Sequence, residues 1–130
     1  MIDHVSIAVR DLASAETFYT ALLTPLGMRK LREWPNAAIG FGKKYPEFWI
    51  SRRAAMDCVA NDSGVHICLR ATDSRAVEDF HAAALKSGGT SDGAPGLRAE
   101  YHDSYYAAFI RDPDGNRIEA VTFLREEAGK

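Results

Sequence analysis

Three side chains in this sequence have the chemistry to share one divalent metal ion: His4, His66 and Glu119. Two neutral imidazoles and a carboxylate suit Fe, Mn, Ni, Zn or Co as the divalent ion. Three protein ligands leave positions open for water or substrate, as in a catalytic site rather than a closed structural one. Such an ion polarises a carbonyl, stabilises an enediolate or binds two adjacent oxygens. Each residue also has a plainer reading. A histidine in a strand is usually a satisfied core or surface residue. A glutamate among apolar neighbours usually pairs with an arginine, and Arg70 and Arg117 are at hand.

An internal repeat favours the metal reading. Residues 2–28 slide onto residues 64–90 without a gap. His4 then falls on His66, Asp11 on Asp73, Glu16 on Glu78, Phe18 on Phe80, Ala21 on Ala83, Leu23 on Leu85 and Gly27 on Gly89. Val5 and Ile7 fall on Ile67 and Leu69. The repeat therefore puts the two histidines at equivalent places in duplicated units.

The elements that must position them follow from periodicity. Ile2–Val9 and Val65–Ala71 alternate like strands, with Val5, Ile7 and Val9 on one face and His4, Ser6 and Ala8 on the other. Asp11 and Asp73 are N-cap residues for helices that cover the apolar faces. Leu12, Ala15, Tyr19, Leu22, Leu23 and Leu26 recur at helical spacing, as do Val77, Phe80 and Ala84. Gly27 and Gly88-Gly89 stop the two helices. Further strands are expected at 29–33, 37–42 and 47–52. In the second half they are expected as a short piece near Thr90, then at 105–111 and 117–123, with Asp112-Pro113-Asp114-Gly115 as the turn between the last two. Residues 91–103 read as a loop.

The fold class is α+β: two βαβββ modules pairing into an open barrel-like cleft. One domain spans 1–130, with module 1 about 2–52, a linker 53–64 and module 2 about 65–124. His4 and His66 converge across the cleft if the sheets curl toward each other, and Glu119 joins them from the last strand, flanked by apolar residues. An unpaired carboxylate there is costly, and a bound cation removes the cost.

Composition sets outer bounds. The chain has 130 residues, enough to bury a core. Its formal net charge of −2 gives no electrostatic case for nucleic acid or an anionic membrane. No apolar run approaches the ~20 residues that span a bilayer. Two cysteines, Cys58 and Cys68, do not make a disulfide framework. A cytoplasmic location is the expectation.

The segments Ile2-Asp3-His4-Val5-Ser6-Ile7-Ala8-Val9, Phe18-Tyr19, Gly64-Val65-His66 and Asp112-Pro113-Asp114-Gly115-Asn116-Arg117-Ile118-Glu119 carry a resemblance. They are similar to the glyoxalase/bleomycin-resistance/dioxygenase family, the vicinal oxygen chelate superfamily, over residues 2–124. The resemblance implies paired βαβββ modules, a metal-lined open barrel and a homodimer. It carries ligand roles onto His4, His66 and Glu119, and a proton-shuttling role onto Glu119. Lyase, isomerase, dioxygenase or thiol-transferase chemistry on a small oxygen-rich molecule is implied. The alternative is a metal-free binding protein of the bleomycin-sequestering type.

One departure matters. Glyoxalase I has a fourth protein ligand, a glutamate on the last strand of its first module. Superposing the hairpin at Lys43-Lys44 on that at Asp114-Gly115 puts Trp49 opposite Glu119, with Glu47 nearer the turn. A tryptophan cannot ligate a metal. Three protein ligands, without Glu47, is the preferred reading.

Residues 96–106 concentrate Arg98, Tyr101, His102 and Tyr105 before a strand. They form either a wall of the cleft, with Arg98 or His102 meeting an anionic or carbonyl substrate, or a surface loop over a sheet edge or dimer contact. Ser6 and Cys68, paired by the repeat, read as small cleft-wall residues, and Trp49 as an apolar wall. His81 reads as structural.

Overall fold

The computed structural model describes residues 1–124. Two four-stranded sheets, each with its own helix, make up the fold. The first module runs β1 (Val5–Val9), α1 (Leu12–Leu23), a short 3-10 turn (Thr24–Leu26), β2 (Arg29–Trp34), β3 (Ala38–Gly42) and β4 (Phe48–Arg52). The second runs β5 (His66–Arg70), α2 (Ser74–Lys86), β6 (Thr90–Leu97), β7 (Tyr105–Arg111) and β8 (Arg117–Phe123). Strand order is β1-β4-β3-β2 in one sheet and β5-β8-β7-β6 in the other, with no closed barrel. β1 pairs parallel with β4 and β5 with β8; the remaining pairs are antiparallel. The repeat read from sequence is thus a repeat of topology.

Local chemistry explains the element ends. The Asp11 carboxylate accepts from the Ser14 amide at 3.1 Å and that of Asp73 from the Ala76 amide at 2.8 Å, so both act as N-caps. Gly27 closes the first helical stretch at φ 79°, in the left-handed region that glycine enters without strain. Val9, Phe18, Leu22, Leu23, Phe41 and Ile50 from the first module share one core with Val77, Phe80, Ala84, Ile110 and Ile118 from the second. α1 packs against α2, and each helix also covers its own sheet. Each sheet therefore keeps its other face turned away from the helices, and that face carries the polar alternates.

Most strand ends fall within a residue of the sequence reading, and three strands differ in ways that bear on the site. β1 begins at Val5 and β5 at His66, so His4 precedes its strand while His66 opens its own. The first part of the segment read as a short piece followed by a loop is the eight-residue strand β6, and residues 98–103 stay outside any strand. The pairing of β6 with β7 slips twice, between Ser91 and Gly93 and between Gly93 and Gly96. Those bulges erase the two-residue alternation by which a strand is recognised. His81 is buried and its Nε2 lies 2.8 Å from Ser91 Oγ; burial lowers its pKa, as suits a structural neutral imidazole. No helix among the described residues is long and apolar enough to cross a membrane.

The Asp112–Asn116 turn ties the modules together. Asp112 Oδ1 accepts from the backbone N–H groups of Asp114 (2.9 Å) and Asn116 (2.8 Å). Its Oδ2 accepts from Tyr19 Oη (2.5 Å) and Asn116 Nδ2 (2.9 Å). Asn116 Nδ2 also donates to the Ala8 carbonyl at 2.8 Å, and Arg10 Nε to Asp114 Oδ1 at 2.6 Å. Burial raises the Asp112 pKa, while Tyr19 and Asn116 pull it down by bonding its ionised form. The motif that carries the family resemblance most specifically is, for these residues, a clasp between modules.

Candidate functional site

Glu119 sits mid-strand in β8, between β5 and β7, with Cys68 and Phe109 as its cross-strand neighbours. That central position explains its exposure of only 2% despite facing away from the helices. Both carboxylate oxygens have partners. His66 Nε2 lies 3.0 Å from Oε1, and Tyr105 Oη donates to Oε2 at 2.5 Å. Burial first, and the bond to Glu119 second, hold the Tyr105 phenol well above its ordinary pKa, so it remains a donor at neutral pH. Burial, then the Glu119 charge, push the Cys68 thiol up to about 12. It is therefore no thiolate nucleophile at neutral pH.

Aromatic rings wall this pair. Tyr105 meets Tyr101 edge-on at 5.2 Å and Phe123 at 5.4 Å, and His102 meets Phe123 at 5.8 Å. Arg70 lies over Phe123, 4.9 Å from the ring centre. Arg98 lies over Phe109 and donates to the carbonyls of Ala94 and Gly96. His102 Nδ1 accepts from the Ser104 amide at 3.1 Å. The structure thus gathers Tyr101, His102 and Tyr105 around the face that bears Glu119, while Arg98 bonds the backbone of the strand it follows, β6.

The first module's candidates lie apart. Trp49 pairs with Ser6 as Glu119 pairs with Cys68, so the equivalence inferred from the hairpins holds strand for strand. Gly40, opposite Trp49, makes room for the indole; a Cβ there would come within 2.9 Å of the ring. Ser6 Oγ lies 2.7 Å from Ser51 Oγ. Glu47 precedes β4 and accepts from the Lys43 amide at 3.5 Å. His4 is exposed, with Nδ1 2.7 Å from Asp3 Oδ1. Among the described residues no three His, Cys, Asp or Glu side chains cluster closely enough within one chain to hold a metal. His66 and Glu119 meet; His4 does not join them.

Phe109, Phe123 and Asp92 were not singled out from sequence. Phe109 and Phe123 were legible in principle, since each shares its strand's outward alternation with Tyr105 or Glu119. Asp92 lies on the bulged strand, where alternation gave no signal. The arginine pairing weighed for Glu119 is not what the structure shows: Arg117 faces Asp92 instead.

A helix-backed pair of βαβββ sheets, with an exposed histidine, His66, against a buried glutamate, Glu119, on one outer face, defines a vicinal-oxygen-chelate type of protein. Comparison with known families agrees. The sequence model of the Glyoxalase/Bleomycin resistance protein/Dioxygenase superfamily matches residues 1–120, and the chain belongs to that superfamily. A glyoxalase/bleomycin resistance protein from Albidiferax ferrireducens T118 is 30% identical, with a TM-score of 0.76 over 91% of this chain and 94% of that one. An enzyme of the same family from Burkholderia phytofirmans PsJN is 17% identical, with a TM-score of 0.71 over 95% and 98%. Lactoylglutathione lyase from Agrobacterium tumefaciens is 19% identical, with a TM-score of 0.63 over 93% and 92%. No curated protein matches.

Proposed function

We propose that this protein is a metal-dependent enzyme acting on a small oxygen-rich molecule, with one divalent ion held by His66, Glu119 and His4 of a second copy in a homodimer. The separation of His66 Nε2 and Glu119 Oε1, 3.0 Å, carries the reading. Two ligands about 2.1 Å from a six-coordinate ion, at right angles to each other as in a two-histidine, one-carboxylate facial triad, stand about 3.0 Å apart. Asp3 supports the third ligand: a carboxylate on Nδ1 fixes the tautomer that offers Nε2, as is usual for metal-bound histidine. His4 Nε2 makes no hydrogen bond among the described residues. A second copy that laid its first sheet against the second sheet of this one would also cover Val65, Leu97 and Tyr101, which are exposed in one chain.

The bound ion would supply Lewis acidity for lyase, isomerase, dioxygenase or thiol-transferase chemistry. Around it, Glu119 would move a proton at its carboxylate, Tyr105 would hold Oε2, and Tyr101, His102 and Phe123 would exclude water. The setting is cytoplasmic in this reading, and the whole of residues 1–130 acts as one domain. The second reading is a metal-free sequestering protein. Its support is that both Glu119 oxygens already have partners within the chain.

Elemental analysis of protein purified without chelators, run beside light scattering, separates them. The enzyme reading expects about one transition-metal ion per chain and a mass twice the 14.3 kDa of the chain. Metal below about a tenth of an equivalent, with no gain on reconstitution, overturns it.

A further inference from the structure

We propose that a cavity beside the His66–Glu119 pair binds the carboxylate of a small organic acid, and that Arg117 is the residue that holds it. The cavity is about 250 Å³ and is lined by Val65, His66, Asp92, Phe109, Arg117 and the β7–β8 isoleucines. That is just under the range of drug-sized pockets and suits a single ring or a short branched chain. The acid would be the substrate or part of it, so in that respect the inference rests on the reading above. The binding argument itself does not involve a metal.

Arg117 is the observation that carries it. Its side chain is only 26% exposed, yet among the described residues it makes no hydrogen bond. Among the described residues its side chain's one ion-pair partner is Asp92, with Nε 3.6 Å from Oδ2, beyond bonding distance. A guanidinium has five N–H donors in a planar fork that matches a carboxylate. Leaving that fork largely unused in a half-buried wall is expensive unless a ligand or water takes it. Arg111, the cross-strand partner of Arg117, reaches the other Asp92 oxygen at 3.4 Å and donates to Asn61 Oδ1 at 3.0 Å. Two guanidiniums thus face one carboxylate, an excess of a single positive charge. Glu119, two positions along the strand, turns its oxygens to His66 and Tyr105. A single excess charge matches a monoanion better than a dianion. Phe109 and Val65 supply the apolar surface for the rest of the acid.

The test is a titration of chelator-treated protein with benzoate, followed by amide chemical shifts. Benzamide serves as the uncharged isostere and inorganic phosphate as the competing anion. Benzoate is expected to shift residues around Arg117, with benzamide and phosphate at least about tenfold weaker. Arg117→Gln should weaken benzoate by about tenfold or more. Asp92→Asn removes the competing carboxylate and should tighten it severalfold. Opposite signs from the two variants distinguish a binding role from damage to the sheet, which would weaken both. Benzamide binding as well as benzoate, phosphate binding better, or Arg117→Gln matching wild type each overturns the inference. Protein that takes up metal but not benzoate defeats this inference alone. Benzoate binding at Arg117 in protein that takes up no metal defeats only the metal reading.

Discussion

Glu119→Gln is expected to lower divalent-metal affinity by more than about 100-fold and to end any metal-dependent turnover, while the chelated protein keeps its fold. Removing even an outer partner of a metal ligand costs about 10–100-fold in affinity, and in this variant the anionic ligand itself is lost. The fold survives because glutamine keeps an oxygen for the Tyr105 hydroxyl, 2.5 Å away in the parent. The new amide also sheds the burden of a charge that is 2% exposed. Urea unfolding of chelated variant and parent should therefore agree within about 1 kcal/mol. The opposite pattern, metal bound as tightly as before but a protein that unfolds much more easily, makes Glu119 a structural partner of His66 and Tyr105 and nothing more.

Glu119 also shows how far the sequence could be read. Its place on a strand with apolar neighbours was visible, and so was the residue opposite it in the first module. Those follow from two-residue alternation and from the repeat, both local properties. The partners of its oxygens were less visible. Tyr105 stood out only as one aromatic among several, because its reach to Oε2 depends on how β7 and β8 register. The largest gap is His4. Alternation assigns it and His66 to the outward faces of their sheets. Which outward faces meet depends on how the modules pack. Within one chain the helices and apolar faces are shared, so the two histidines do not meet.

Asp112→Ala is expected to destabilise the protein by about 3 kcal/mol or more, with little effect on metal affinity per folded molecule. The substitution strips four hydrogen bonds from a carboxylate 5% exposed. It strands the Tyr19 hydroxyl, which is wholly buried and has Asp112 as its partner. Each buried donor left without an acceptor costs about 1–3 kcal/mol. Tyr19→Phe removes only one of the bonds and should cost about 1–2 kcal/mol. Denaturant midpoints for the pair measure the clasp directly. An Asp112→Ala protein as stable as the parent within about 0.5 kcal/mol contradicts it. The sequence motif therefore bears two separate demands. Its first half locks module to module through Tyr19, Ala8 and Arg10, and its last residue, Glu119, faces the site.

Mixing two inactive variants tests the shared metal centre most directly. His4→Ala and His66→Ala are each expected to bind almost no metal alone. In a two-fold dimer whose sites take His4 from one copy and His66 from the other, a mixed dimer has one site with both defects and one with neither. Unfolded together and refolded in equal amounts, the variants should recover metal in about a quarter of all sites, since half the dimers are mixed. Differently tagged copies verify by mass that mixed dimers form. Mixed dimers that bind no more metal than the separate variants contradict a site shared between copies, and with it the role of His4 as the third ligand.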